Sequence, residues 1–153
     1  MSTQVIIAQG ISIVTFNDVP NSYQNTFIYE IFEKAADAQI NIDMISQAPA
    51  TSDKISFGFT FPDDDIPKLL SIISQISSSK DRTPMISVGN VKVTVKSDAM
   101  ITGTGFASGV MKVLRDNDCL PLLATTGIDE IAVLVRESEA TDLENKLKEI
   151  FSD

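Results

Sequence analysis

The sequence predicts an α+β chain made of two βαββαβ repeats, each a four-stranded antiparallel sheet with two helices on one face. Two observations carry this prediction. A strand pattern of alternating apolar residues occurs once in each half, at residues 11–16 (ISIVTF) and 91–96 (VKVTVK). Each is followed by a turn-rich segment and then by apolar residues at helical spacing. These helical stripes are Phe27, Ile28, Ile31, Phe32, Ala35 and Ala36 in the first half, and Phe106, Val110, Val113 and Leu114 in the second.

The remaining elements of the two halves also correspond. Residues 40–47 follow the first helix as residues 119–126 follow the second, and both segments read as strands. Residues 54–61 and 130–137 supply a further strand to each half, and a short strand at residues 5–8 precedes the first repeat. A final helix closes each half, with stripes of Leu69, Leu70, Ile73 and Ile76, and of Leu143, Leu147 and Ile150.

We therefore predict two domains, at residues 1–80 and 81–153, with a boundary in the polar stretch at residues 77–84. A unit of this size buries little surface by itself. Its exposed sheet face and edges predict that the units pack together and that the chain forms a homodimer.

The composition excludes several functions. The 153 residues include 12 Lys and Arg, 21 Asp and Glu, one Cys and no His, giving a net charge of −9. The lack of His rules out a Ser-His-Asp triad, a Cys-His dyad and the common zinc sites within this sequence. The negative charge argues against nucleic acid and anionic membranes as partners. A single Cys, short apolar runs and the lack of a signal-peptide pattern in residues 1–10 predict a cytoplasmic protein.

Three features that could suggest chemistry have simpler interpretations. The loop at residues 102–105 (TGTG) lacks the Lys-Ser/Thr ending of a phosphate loop, so it is a flexible turn or holds a small carboxylate on its amides. The run Asp63 to Asp65 lacks the spacing of a calcium loop and is predicted to cap a helix. Cys119 occupies the position equivalent to Ile40 and is predicted to be buried. No metal and no cofactor are predicted.

An enzymatic function is not predicted either. Asp18 and Asp43 could form a carboxylate pair, but neither His nor an evident nucleophile accompanies them, and the second repeat does not duplicate them. Asp18 lies in the first strand-to-helix loop, followed by Val19 and Pro20. There it is better placed to accept a hydrogen bond from the ammonium group of a ligand.

The repeat resembles the ACT domain, a ferredoxin-like βαββαβ unit, and the pair is similar to the regulatory, C-terminal region of aspartokinases. The most specific element is INIDMISQ at residues 40–47, within the order that begins with ISIVTFNDVP at residues 11–20. The segment VGNVKVTVKSDAM at residues 88–100 and the ending IAVLVRESEATDLENKLKEIF at residues 131–151 also match. The resemblance covers essentially the whole chain and does not include the kinase domain. It further implies that the leading strand, at residues 5–8, completes the second domain.

The resemblance implies a ligand site. ACT pairs bind amino acids where the first strand-to-helix loop of one domain meets the second strand of another. Asp18, with Val19 and Pro20 beside it, matches the loop that receives the ligand amine. Gln47 matches a ligand-contacting glutamine, and the strand whose backbone lines the interface corresponds to Asn41 and Ile42. In the second repeat the family's Asn-Ile pair is replaced by Leu120 and Pro121, so the usual contacts are lost there.

The leading hypothesis is thus a non-catalytic regulatory module that binds a small amino acid of the threonine or lysine class. Its partners would be a second copy and a kinase catalytic subunit. One alternative is a structural assembly module of the same fold that dimerises and binds no ligand. A third interpretation, RNA binding, needs a basic sheet with exposed aromatic residues, whereas both halves of this chain are acidic.

Overall fold

The computed structural model describes residues 3–20, 24–76 and 84–151, with main chain only for residues 24 and 25. Its internal contacts divide the chain into a first unit, Gly10–Val88, and a second unit, Gly89–Asp153 together with Met1–Gln9. The predicted domain boundary between residues 80 and 81 lies outside the described residues.

The strands are β1 (Gln4–Pro20), β2 (Ile45–Gln47), β3 (Lys54–Pro62), β4 (Met85–Lys96), β5 (Leu123–Thr126) and β6 (Glu130–Arg136). The helices are α1 (Gln24–Asp37), α2 (Ile66–Gln75), α3 (Phe106–Asp116) and α4 (Glu137–Phe151).

The first unit contains strands in the order β2-β3-β1-β4, and β3 pairs antiparallel with both β1 and β2. Alternate β3 residues face the helices, as the period of two requires, although every residue from Phe57 to Phe61 is buried. They pack with the apolar stripes of α1 and α2 into one core. The β3 members of this core are Ile55, Phe57, Phe59 and Phe61.

The second unit repeats this plan. There β6 lies between β4 and β5 and pairs antiparallel with both. Val93 and Val95 of β4 lie opposite Val133 and Ile131 of β6, and α3 and α4 complete the core on this face. Val5 and Ile7, from the first part of β1, pack against the same core. The predicted α+β class with antiparallel strands is confirmed.

Several predicted strands have different bounds. The strands predicted at residues 5–8 and 11–16 are parts of the single strand β1, which also includes residues 17–20, predicted as a loop. The second strand of each unit is shorter than predicted, beginning at Ile45 and at Leu123. In the first unit, main-chain bonding to β3 starts only with the amide of Asp43, and in the second unit Pro121 lacks an amide donor.

Three predicted core positions are wrong. Leu70 and Ile150 are 49% and 54% exposed, and Ala36 is also exposed. The buried faces of α2 and α4 instead include Ile72 and Ala140. The spacing of apolar residues therefore identified the helices correctly, whereas the exact angle of each buried face depends on the neighbouring strands.

The acidic run does not cap α2 as predicted. Asp63–Asp65 form a 3₁₀ turn before the helix, and neither the turn nor α2 has a side-chain capping hydrogen bond. Asp63 instead accepts a hydrogen bond from the buried Ser12 hydroxyl, and Asp65 lies 3.5 Å from Lys68. Within the described residues no group of three or more acidic or Cys side chains could hold a metal ion.

Helices α1 and α3 end in the same way. In α1 the amides of Gln39 and Ile40 donate to the carbonyls of Ala36 and Ala35, at 3.0 and 2.9 Å. In α3 the amides of Asp118 and Cys119 make the equivalent bonds to Arg115 and Leu114. This is a Schellman motif, in which the first residue beyond the cap is left-handed and the next is apolar. Gln39 (φ 59°) and Asp118 (φ 52°) are the left-handed residues, and Ile40 and Cys119 are buried at equivalent positions, as predicted.

Replacing Gln39 or Asp118 with glycine is expected to stabilise the protein by about 1 kcal/mol each, because glycine adopts positive φ without steric cost. Urea unfolding midpoints measure the effect. The control is Lys112→Gly, at an exposed position inside α3, which should destabilise by about 1 kcal/mol. A loss of stability in Gln39→Gly comparable to that of the control would contradict the motif.

Candidate functional site

The end of β1 contains a β-bulge. Phe16 pairs with Phe57 and Val19 pairs with Ile55, so Asn17 and Asp18 together face one residue of β3. That residue is Ser56. The extra residue reverses the alternation, so Val19 enters the core and Asp18 remains exposed. Sequence reasoning placed residues 17–20 in a loop because this segment is rich in turn-forming residues.

Asp18 has an unusual backbone conformation at this bulge. Its φ is 55°, in the left-handed region that residues other than glycine rarely adopt. Its amide donates a hydrogen bond of 3.3 Å to Oγ of Ser56 on the neighbouring strand. The side chain has no ion-pair partner within the described residues, so its carboxylate is free to accept hydrogen bonds from a ligand.

Gln47 lies at the same end of the first unit's sheet as Asp18. It is exposed, at the end of β2, and pairs with Phe57 of β3. Since β3 lies between β1 and β2, Gln47 and Asp18 flank this strand on opposite sides. Two strand spacings separate their main chains by about 10 Å.

Asn41 and Ile42 lie in the segment that precedes β2. Gln47 follows Asn41 by six residues, which corresponds to about 20 Å along an extended chain. Asn41 is exposed, whereas Ile42 is half-buried and packs against the core. Hydrogen bonding to β3 begins only at Asp43, whose amide donates to the carbonyl of Thr60. The main chain of Asn41 and Ile42 makes no hydrogen bond within the described residues.

The two other predicted site residues, Val19 and Pro20, have side chains that are at least partly buried. Val19 is fully buried, so its side chain contributes to the core and not to a binding surface. Pro20 is half-buried and pairs with Lys54 at the end of β1. Within one first unit, Asp18 and Gln47 therefore lie at one end of the sheet, whereas Asn41 and Ile42 lie in the segment before β2. A single first unit does not bring these two groups together.

The described residues also form an open groove of about 590 Å³ between α1 and α2. It is lined by Lys34, Asp37, Ala38, Pro67, Lys68, Ser71, Ile72 and Gln75. None of the predicted site residues lines this groove. Its lining is mixed in charge and combines exposed polar side chains with one buried isoleucine.

The loop of the second repeat is exposed from Ile101 to Gly105 and follows a 3₁₀ turn at Asp98–Met100. Gly105 precedes α3 with φ 93° and provides no side-chain cap. The amide of Gly103 is already bonded to the carbonyl of Ala99, at 2.9 Å. A turn and a carboxylate-holding loop both remain compatible with this geometry.

Cys119 is buried in the second unit, as predicted. Burial, together with a hydrogen bond to Glu139, raises the pKa of the thiol to about 11. Its Sγ donates to the Glu139 carboxylate at 3.3 Å. The thiol is therefore protonated at neutral pH and is a poor nucleophile.

No helix in the described part of the chain is long and apolar enough to cross a membrane.

No protein-family model matches the chain. Among curated proteins, the chain is 25% identical to the aspartokinase of Bacillus sp. (strain MGA3) over 148 residues, which is 96% of this chain and 36% of the relative. The chain thus spans about a third of the length of that relative.

Solved structures show the same fold over almost the whole chain. The regulatory subunit of aspartate kinase from Thermus thermophilus, in its ligand-free form, aligns with a TM-score of 0.87 at 14% identity, covering 97% of each chain. A structure of aspartokinase alpha and beta subunits aligns with a TM-score of 0.80 at 23% identity, covering 99% of each. The predicted resemblance is confirmed: the chain is similar in sequence to part of an aspartokinase and has the fold of aspartate kinase regulatory subunits.

Proposed function

We propose that this chain is a regulatory module that binds a free amino acid of the threonine or lysine class at an interface between two copies of the ACT-like first unit. Its similarity to regulatory subunits of aspartate kinase supports the regulatory role. The unpaired carboxylate of Asp18 and the unbonded main chain of Asn41 and Ile42 support the ligand class.

The positions of Gln47, at the end of β2, and of Asn41 and Ile42, just before β2, are the observation that carries this proposal. β2 is an edge strand with three exposed residues, so its outer main-chain groups are available to pair with another chain. Two copies related by a two-fold axis would pair their β2 edges antiparallel. Asn41 and Gln47 each lie three residues from Met44. A two-fold axis near Met44 therefore sets Asn41 of the second copy beside Gln47 of the first.

The assembled site has the groups that an amino acid requires. The Asp18 carboxylate binds the ligand ammonium group, a charge-assisted hydrogen bond that is stronger than a neutral one. The amides of Asn41 and Ile42 from the second copy bind the ligand carboxylate. The Gln47 side chain, which can donate and accept, contacts the ligand side chain. This binding requires no His and no metal.

A ligand held by two copies stabilises one orientation of the pair over others. Such differential affinity is what transmits a binding event to a distant catalytic site. A kinase catalytic subunit is the proposed recipient of this signal. The similarity to a structure containing aspartokinase alpha and beta subunits supports such a partner.

The substitution Asp18→Asn is expected to weaken amino-acid binding by about 10- to 100-fold, because it removes the charge that faces the ligand ammonium. Asparagine tolerates the left-handed conformation, so the bulge is retained. Isothermal titration calorimetry with the twenty amino acids, threonine and lysine first, measures the affinity. The matched control is Asp64→Asn, which removes an exposed charge beyond the other end of β3 and should bind as the unmodified chain does. Equal affinities of Asp18→Asn and the unmodified chain would refute the role of Asp18.

A structural assembly module is the second candidate function. Leu120 and Ile128, which flank the edge strand β5, are 81% and 74% exposed, and residues 119–128 contain no charge. An uncharged edge strand with exposed apolar neighbours favours association. Analytical ultracentrifugation with and without amino acids separates the two functions. An oligomeric state that is independent of every amino acid favours assembly alone.

A further inference from the structure

The geometry points to Ser56 as a positioning residue that holds Asp18 in its ligand-binding conformation. This inference rests on the proposed function, because it concerns the residue that positions Asp18 in the proposed ligand site. Ser56 is half-buried in β3 and is the single residue that faces the two-residue bulge. Its Oγ accepts the hydrogen bond from the Asp18 amide at 3.3 Å.

The backbone strain at Asp18 is the first reason. A left-handed φ is unfavourable for residues with a Cβ atom, and glycine would adopt it without that cost. Asp tolerates this conformation better than most residues with a Cβ atom, and unlike glycine it supplies the carboxylate that the proposed site requires. Residues in such conformations persist where the surrounding structure fixes them. A contact that holds the Asp18 main chain therefore also sets the position of its carboxylate.

The hydrogen bonding of the bulge is the second reason. An extra residue in one strand interrupts the ladder, so the amide of Asp18 loses its main-chain partner. Ser56 replaces that partner with a side-chain oxygen, which fixes the amide and hence the direction of the Cα–Cβ bond of Asp18. No other hydrogen bond of the Ser56 side chain occurs within the described residues, so the hydroxyl is not engaged elsewhere.

The register explains why Ser56, among the side chains of β3, is the one that can do this. Val19 and Phe16, on either side of the bulge, are in the core and face Ile55 and Phe57. Ser56 is the only β3 residue between those two, and its side chain lies on the other face of the strand. An apolar residue at position 56 would fit the strand but would leave the Asp18 amide without this acceptor.

The test is a double-mutant cycle on the full chain, with affinity for the amino acid that binds the unmodified chain measured by calorimetry. Ser56→Ala is expected to weaken binding by about tenfold, the effect of losing one hydrogen bond that orders a binding group. Ser56→Thr, which keeps the hydroxyl, is expected to restore affinity to within about threefold. In an Asp18→Asn background, Ser56→Ala should produce little further loss, because both changes act through the same carboxylate.

Two further measurements separate positioning from general stability. Ser108→Ala is the matched control, since Ser108 is exposed on α3 of the second unit and outside the proposed site, and it should leave affinity unchanged. The melting temperature of Ser56→Ala shows whether the substitution also destabilises the fold. A positioning role predicts that Ser56→Ala weakens binding without a large fall in melting temperature, and that Ser56→Thr restores binding. Unchanged affinity in Ser56→Ala, or an equal loss in the Asp18→Asn background, would overturn the inference while leaving Asp18 as a ligand contact. Failure of the unmodified chain to bind any amino acid would overturn the proposed function and this inference together.

Discussion

Replacing Gly58 with alanine is expected to lower the free energy of unfolding by about 3 kcal/mol or more. A Cβ atom at this position would lie 2.8 Å from the Val14 carbonyl oxygen and 3.2 Å from Oγ1 of Thr15. The closest atom belongs to the main chain of β1, which pairs with β3 over most of its length in the first unit. It cannot move away without breaking neighbouring ladder bonds. Even the smallest side chain therefore disrupts the centre of the sheet.

Urea unfolding followed by circular dichroism measures this loss. The matched control is Gly127→Ala, where the added Cβ atom would lie 3.2 Å from Cγ of Glu130, a flexible side chain. Because that side chain can rotate away, a loss below about 1 kcal/mol is expected. Similar losses of unfolding free energy in the two variants would contradict the close contact between β1 and β3 at Gly58.

Replacing Phe16 with alanine is expected to destabilise the protein by about 3–5 kcal/mol. Phe16 is 1% exposed, and its ring centroid lies 5.1 Å from those of both Phe27 and Phe57. The rings of Phe27 and Phe57 are themselves 5.9 Å apart. The substitution therefore removes the centre of a three-ring cluster and leaves a cavity bounded by rigid neighbours.

Two variants define the origin of that effect. Phe16→Leu retains most of the volume and should cost about 1–2 kcal/mol. Phe106→Ala, in the second unit, removes a half-buried ring that stacks on Phe151 at 5.8 Å, and a smaller loss than in Phe16→Ala is expected. Chemical unfolding of all three variants provides the comparison. Equal losses for Phe16→Ala and Phe16→Leu would contradict the packing of the cluster.

The sequence predicted the fold class because its signals are local and occur twice. The alternation in β3 and the helical stripes of α1 and α3 are direct consequences of strand and helix periodicity. The equivalence of Cys119 and Ile40 was also predictable, because both follow a helix at the same offset. The exposed positions of Leu70 and Ile150 were not predictable, since the rotation of a short helix depends on which strands it packs against.

The candidate site was predictable only in part. Asp18 and Gln47 were identified through the resemblance to a family, and the structure places both at one end of the first unit's sheet. The bulge was missed because a bulge inserts one residue without a compositional signal of its own. The role proposed for Ser56 was missed for the same reason, since it follows from register and not from the residues around position 56. The burial of the Val19 side chain was missed with the bulge, because the bulge returns that side chain to the core.

The most direct test of the proposed regulatory function is sedimentation equilibrium of the intact chain, combined with calorimetric titration of the amino acids. The proposal predicts that one amino acid of the threonine or lysine class binds and shifts the chain toward dimer, and that Asp18→Asn abolishes this shift at the same ligand concentration. The Asp64→Asn control should respond as the unmodified chain does. A chain that binds none of the twenty amino acids, and whose mass is unaffected by them, would contradict the proposal.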